Sequence, residues 1–510
     1  MTHKYNFGGV NLGSTPGNHG DPSDPEMPFR MLVIGDFSGR GNRGTQQENG
    51  ELARRRIWEI DRDNFDEVMS RLDVGLSNTI VDNNNEPLSV RFNELDDFDP
   101  DQLFEFVPLF SQLRTLRQQL LNETTFAEAA AEVRRWAAAA NGTQSSAPDS
   151  STDAPASISL DDLVSNTAQQ QDQTPTSVTN TSRWDAMINR IVDPLITAGP
   201  DPERDVLVEC VDAAISESMR ALLHHSDFQR LESVWRGLYL MIRRLETGSD
   251  LQIHLLDVSS AEVAQDLRTE EVPDSQLYRL IVEQSVGSAG GQPWSAMIGC
   301  ESYSASEEDI QTLKQLGKIA AAAGAPFIGG AMGDIVGCTD PMAMRDSDEW
   351  LAAQIKDNKP WQSLLKMQAA SFVQLLWPRF RIRLPYGNAV RQIEAFDFEE
   401  LSDASGHQDY LWCSPAFAAG VVLGQAFTES GASLQPGEID KIDDLPICYH
   451  RDADGEEVAL PCGELWLTDR AADRIRQCGI TPLLSVKSQA TVRVGRFCGV
   501  NGEPLAGRWI

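Results

Sequence analysis

Apolar residues keep two different periods along this chain, and the switches between them mark out its elements. Met31, Leu32, Val33 and Ile34 form an unbroken apolar run closed by GDFSG, the pattern of a buried strand entering a turn. Phe65, Val68, Met69 and Leu72 follow Asp61 and Asp63 at three- and four-residue spacing, which predicts one apolar helix face. A strand is expected at 88–92. Asp99 before Pro100 then reads as an N-cap with proline at the first helical position, opening a helix with Leu103, Phe106 and Val107 on one side. Helical pattern resumes after Pro108 and reaches about residue 140.

Two stretches break this regularity. Residues 1–27 combine a strand-like piece at 5–12 with a Gly/Pro/Asp-rich tether and are expected to form a flexible arm. Residues 141–182 turn to Ser, Thr, Gln, Asp, Asn and Pro, the composition of a disordered linker. Inside it, SISLDDLVSNTA (157–168) places Ile158, Leu160, Leu163 and Val164 so that a short amphipathic helix could form on a partner. A chance apolar island in a linker fits the same spacing.

From about residue 183 the regular patterns return. Ser226 and Gln229 read as an S-x-x-Q capping box, with Phe228, Leu231, Val234, Trp235, Leu238 and Ile242 recurring at helical spacing behind it. Residues 251–258 alternate as a half-buried strand, 310–323 read as a helix and 380–384 as another strand. CYHRDADGEEVAL (448–460) reads as a hairpin turning at Asp454 and Gly455. This alternation predicts an α/β (mixed α+β) protein with two associated domains, 28–140 and 183–510, joined by the linker.

Composition narrows the class. A length of 510 residues exceeds what one core fills, and 41% hydrophobic residues suffice for more than one. The longest apolar runs, such as 416–423, are too short and glycine-broken to span a membrane. The first residues, MTHKYNFGGVNL, lack the features of a secretory signal, so a cytoplasmic location is expected. Eight cysteines are widely spaced with no CxxC pair and are expected to be mostly buried thiols. A formal charge of -33, unrelieved by any basic stretch with interleaved aromatics, argues against nucleic-acid binding.

Candidate chemical motifs fail on detail. GDFSGRGNRG (35–44) lacks the Lys-Ser/Thr pair that a phosphate loop needs after its last glycine, so a turn with a mobile loop is predicted. GSAGG (287–291) lacks the strand-then-helix setting of a dinucleotide site. His224 and His225 adjoin at a helix start, where neighbours point to different faces; a cap-region pair, one buried and one exposed, is expected. The remaining histidines show no metal spacing and no Ser/His/Asp arrangement. DADGEE (452–457) has too few and mis-spaced acids for a calcium loop. The acidic pairs Asp96/Asp97 and Asp161/Asp162 read as solvated faces or caps. No catalytic residue, cofactor or metal is expected.

Long ordered segments carry a resemblance. PFRMLVIGDFSGR (28–40), RRRIWEIDRDNFDEVMSRL (54–72) and VRFNELDDFDPDQL (90–103) resemble the small subunit of the type VI secretion contractile sheath. LLHHSDFQRLESVWRGLYLMI (222–242), LYRLIVEQSVGSAGGQPWSAMIG (277–299), GAPFIGG (324–330) and WPRFRIRLPYG (377–387) resemble its large subunit. The resemblance implies a sheath-protein fold in which the two blocks pack as one protomer. It implies a mechanical function: a helical polymer around an inner tube, with strands added between neighbours, that contracts to deliver effectors. The implied partners are copies of the chain or other sheath subunits, the inner-tube protein, the baseplate and an AAA+ recycling ATPase that would recognise Ile158, Leu160, Leu163 and Val164. No nucleic acid, direct membrane insertion, catalysis or cofactor is implied.

Large subunits of the family continue beyond the region resembling GITPLLSVKSQA (479–490) into further helices and a strand of the inter-subunit sheet, whereas this sequence ends at Ile510. Its last residues either supply a substitute strand at 491–497, with Val492, Val494 and Phe497, or leave that contact unmade. The strand at 5–12, with Tyr5, Phe7 and Val10, is shorter than the family's usual N-terminal one. A second reading is therefore an accessory sheath-like protein that docks on a sheath or baseplate and co-assembles with a separate large subunit. An acidic enzyme with an unrecognised site is the weakest reading.

Overall fold

The computed structural model describes residues 5–7, 10–12, 27–45, 52–81, 87–142, 204–288, 291–344, 347–350, 355, 357–388, 390–402, 405–451 and 456–509. Their centre is a nine-stranded sheet of β1 (Phe29–Gly35), β2 (Trp58–Ile60), β3 (Leu251–Asp257), β4 (Ala296–Tyr303), β5 (Phe327–Ala331), β6 (Val373–Trp377), β7 (Lys441–Ile442), β8 (Thr481–Ser485) and β9 (Val492–Val494). The order is β7-β9-β8-β6-β5-β4-β1-β3-β2. Strands β3, β1, β4, β5, β6 and β8 run parallel, each to the next. One edge closes with β2 antiparallel to β3, the other with β9 and β7, each antiparallel to its neighbour.

The apolar run of β1 explains its central position. Phe29, Met31 and Val33 join one core cluster, while Leu32 and Ile34 join the other, so the strand is buried on both faces. It pairs with β3 from Phe29↔Leu251 to Gly35↔Asp257 and with β4 from Met31↔Ala296 to Ile34↔Gly299. The two sequence blocks therefore do not close separate cores. A strand of the first lies inside the sheet of the second.

Helices cover both faces. The first block supplies α1 (Phe65–Arg71), α2 (Pro100–Phe106), α3 (Pro108–Leu121) and α4 (Phe126–Gly142). The second supplies α5 (Arg204–Leu223), α6 (Ser226–Arg244), α7 (Glu307–Ala323) and α8 (Pro415–Ser430). Helices α5, α6 and α8 share one cluster with the first block's aromatics, and α7 belongs to the cluster on the other face. Helix α8 contains the glycine-broken apolar run and is buried along most of its length. It approaches α6 closely: a Cβ on Gly237 would stand 2.6 Å from the Phe417 ring, and one on Gly420 2.9 Å from Met241.

Local details correct several expectations. Helix α6 starts at Ser226 but is capped by His225, whose Nδ1 accepts from the Asp227 N–H, while the Gln229 N–H that the capping box assigned to Ser226 goes to the His225 carbonyl. His224 and His225 are both half-buried rather than split between core and solvent. The strand expected at 380–384 is only Phe380–Arg381, paired with Trp412–Cys413. The 35–44 turn is pinned, not mobile. Asp36 accepts from the N–H groups of Arg40 and Gly41, and Asp257 from those of Phe37 and Ser38. Gly39 sits at φ 76°, where a Cβ would meet the Gly75 carbonyl at 2.1 Å.

The hairpin and cysteine expectations hold. The hairpin forms between Tyr449–Arg451 and Glu457–Ala459. All eight cysteines are free, six of them buried. No helix among the described residues is long and apolar enough to cross a membrane.

Candidate assembly site

The seam between the two blocks is where this chain concentrates buried polarity. At the C-terminal end of β1, the buried Asp257 carboxylate also accepts from the Ser38 hydroxyl at 2.7 Å, fixing the turn of one block to the strand of the other. Glu262, in the helix Ser260–Asp266, receives Arg40 and Arg55 from the first block, with Nε of Arg40 at 3.2 Å and Nη2 of Arg55 at 2.9 Å. Burial raises the Glu262 carboxyl, but Arg55, the Ser259 N–H and Arg40 outweigh it and hold it down at about 2.

A second cluster crosses the seam from the start of α2. Asp99 has the predicted N-cap position, yet its side chain makes no cap hydrogen bond. It instead accepts from the Tyr386 hydroxyl, from Arg236 at 3.3 Å and from Arg391 at 2.5 Å. Three cross-block donors outcompete one local N–H. Behind it, Arg383 bridges two carboxylates, with Nε 2.7 Å from Glu232 and Nη1 2.7 Å from Glu400. Glu232 is fully buried and also receives Nε of Arg236 at 2.6 Å. Burial alone would raise its pKa; Arg383 and Arg236 lower it below the ordinary carboxylate range.

Apolar packing completes the seam. The Trp235 indole stands edge-on to Phe37 and Phe65, and Phe228 meets Phe92 and Phe98. Arg117 of α3 pairs with Asp212 of α5 at 2.5 Å. The arrangement is a clamp. It satisfies its charges in place, and among the described residues no group of three or more His, Cys, Asp and Glu could hold a metal.

The residues predicted to meet neighbouring subunits fall elsewhere. Tyr5, Phe7 and Val10 lie in a separate hairpin, Tyr5–Phe7 pairing with Val10–Leu12, so the expected single strand is two short ones. Val492, Val494 and Phe497 are buried, and β9 is flanked by β8 on one side and β7 on the other. Within the chain both edges of β9 are bonded. Ile158, Leu160, Leu163 and Val164 lie outside the described residues.

Sequence reasoning missed the seam's charge cluster. Arg381 and Arg383 share one phase of a segment whose other phase is apolar, which reads as a solvent-facing edge, but both are buried. The signal that did exist was the i, i+4 spacing of Glu232 and Arg236 on a strongly amphipathic helix.

These features are those of a structural subunit, with two sequence blocks interleaved in one sheet and locked by buried ion pairs. Comparison with known proteins gives that class its family. Residues 205–496 match the family described as EvpB/VC_A0108, tail sheath N-terminal domain, and residues 10–136 match Type VI secretion system, VipA, VC_A0107 or Hcp2. The chain belongs to the type VI secretion tail sheath family, joining a small-subunit region and a large-subunit region in one polypeptide. It is 28% identical over 290 residues to the type VI secretion system sheath protein TssC1 of Pseudomonas aeruginosa, covering 55% of this chain and 58% of that one. It is 29% identical over 112 residues to the sheath protein TssB1 of the same organism, covering 21% of this chain and 63% of that one. The chain thus spans less than two thirds of either relative. The family is one of structural sheath proteins rather than enzymes.

Proposed function

We propose that the chain is a self-contained protomer of a type VI secretion contractile sheath, polymerising around an inner tube in the cytoplasm and contracting to drive effector delivery. One observation carries this reading: β1 of the small-subunit block is hydrogen-bonded on both sides by strands of the large-subunit block. A heterodimer's intermolecular sheet has become intramolecular, which fixes the stoichiometry and removes a second-order step. Heterologous contacts between such protomers then build an open helical tube. The inner-tube protein, the baseplate and an AAA+ ATPase reading Ile158, Leu160, Leu163 and Val164 belong to the same proposal. So does strand exchange through Tyr5, Phe7 and Val10.

The test is expression of the chain alone, followed by sedimentation and negative-stain electron microscopy. Tubes support the proposal. A second reading, an accessory subunit co-assembling with a separate large subunit, draws on the edges of the sheet. One ends in the two-residue β7, the other in the three-residue β2, and β9 has no free edge to lend. A chain that stays monomeric alone but enters tubes when mixed with a separate large subunit would replace the first reading by the second.

A further inference from the structure

A cleft of about 520 Å³ opens beside the turn that follows β1, and six arginines line it: Arg40, Arg43, Arg54, Arg55, Arg56 and Arg71. Such a concentration runs against the chain's formal charge of -33. Asp73 and Asp257 are the acids of the lining. Arg40 and Arg55 are committed to Glu262, and Arg43 to Asp73 at 2.7 Å. Arg54 and Arg56 are exposed, and neither has a hydrogen-bond or ion-pair partner among the described residues. The Arg56 guanidinium lies over the Trp58 ring, its Cζ 3.8 Å from the centroid, a contact that helps hold the side chain in place. The position in the fold is independent support. Ser38 and Asp257 follow or end the parallel neighbours β1 and β3, and open α/β sheets hold ligands outside the carboxyl ends of such strands.

We infer that this cleft binds a compact polyanion, a chain of two or three phosphoryl groups, between Arg54 and Arg56. The backbone does not do the binding. The N–H groups of Phe37, Ser38, Arg40 and Gly41 are all engaged by Asp257 and Asp36. Recognition falls to guanidinium forks, whose paired donors match phosphate oxygens. Arg56 already lies over the Trp58 ring, so a nucleobase would compete with it for that face.

The experiment is calorimetric titration of the full chain with sodium tripolyphosphate at low salt, with Trp58 fluorescence as a second readout. Saturable one-to-one binding is expected, weakening at least fivefold when salt is raised from low to physiological strength. Arg54→Ala with Arg56→Ala should lower affinity at least tenfold with an unchanged melting temperature, whereas Arg268→Ala, at another exposed arginine, should leave it unchanged. Pyrophosphate and ADP are run side by side. Equal affinity assigns the site to free oligophosphate, and tighter ADP assigns it to a nucleotide's phosphates. No saturable binding, or equal binding by the double variant, overturns the inference. A double variant that changes only self-association also overturns it and makes the cleft a dock for a second copy's acidic surface.

Discussion

The indole N–H of Trp235 donates to the main-chain carbonyl of Phe37 across 2.8 Å, tying helix α6 of one block to the turn that ends β1 of the other. Both side chains are fully buried. Trp235→Phe keeps an aromatic ring against Phe37 and Phe65 but removes the donor, and a lost buried hydrogen bond costs about 1–3 kcal/mol. The expected outcome is a lower urea midpoint with an unchanged slope. A midpoint equal to wild type would mean that the hydrogen bond contributes nothing net.

Arg383 stands between two buried carboxylates, so removing it is worse than removing the whole cluster. Arg383→Met leaves Glu232 and Glu400 facing each other without their shared cation, and breaking a buried pair costs about 3–5 kcal/mol. In the wild type the depressed pKa of Glu232 contributes stability that is present above the ordinary carboxylate range and lost as pH falls through the folded value. The variant keeps only the part that Arg236 supplies. Its deficit against wild type should be largest near neutral pH and shrink on acidification, which denaturant melts at several pH values would read.

His254 supplies a separate acid sensitivity. Its Nε2 receives Arg30 Nε at 3.3 Å, which requires an unprotonated nitrogen there. Burial, with Arg30 second, pushes its pKa down to about 4. The unfolded chain therefore takes up this proton first. Stability is fully present above about 6.5 and falls between there and about 4, by roughly 3 kcal/mol at most. Glu262 and Glu464, both held near 2, add losses that start in the ordinary carboxylate range and continue toward the folded value. His254→Gln should make the stability profile shallower between pH 6.5 and 4, leaving the smaller fall from His224, which burial also lowers. An unchanged slope would assign the sensitivity elsewhere.

Gly237 sets the distance between α6 and α8. Alanine in a helix interior gains up to about 1 kcal/mol over glycine, but here its Cβ would stand 2.6 Å from Phe417 and 2.9 Å from Cys413. Overpacking a rigid core costs about 1–3 kcal/mol, so the steric term wins. Gly237→Ala should melt lower than wild type, and a higher melting temperature would show that Phe417 moves aside easily.

How much of this was legible in the sequence depended on whether the cause was local. The Met31–Ile34 run announced a strand buried on both faces, and the Phe228–Ile242 spacing announced α6, because burial leaves a period. The capping of α6 by His225 was not legible, since a ring nitrogen one residue earlier reaches the Asp227 N–H only once the chain turns. Asp99 looked like a cap because its distant partners Arg236, Arg391 and Tyr386 leave no trace near it. Whether the strand at 491–497 is already paired was not legible for the same reason. No period records that β7 and β8 already occupy both its edges.

The deepest consequence of that nonlocality is the position of β1, more than 200 residues from the strands on either side of it. Its pairing, the Trp235 bond and the Asp99 and Glu262 clusters are all made between residues of the two blocks themselves. A protease site inserted within 143–203 and then cut should leave the two fragments bound. They should co-elute in gel filtration at neutral pH and separate only in denaturant. The joint would then serve to raise effective concentration during folding rather than to hold the finished fold. If the fragments part under native conditions, the seam is too weak to act as a clamp, and the covalent connection itself maintains the protomer.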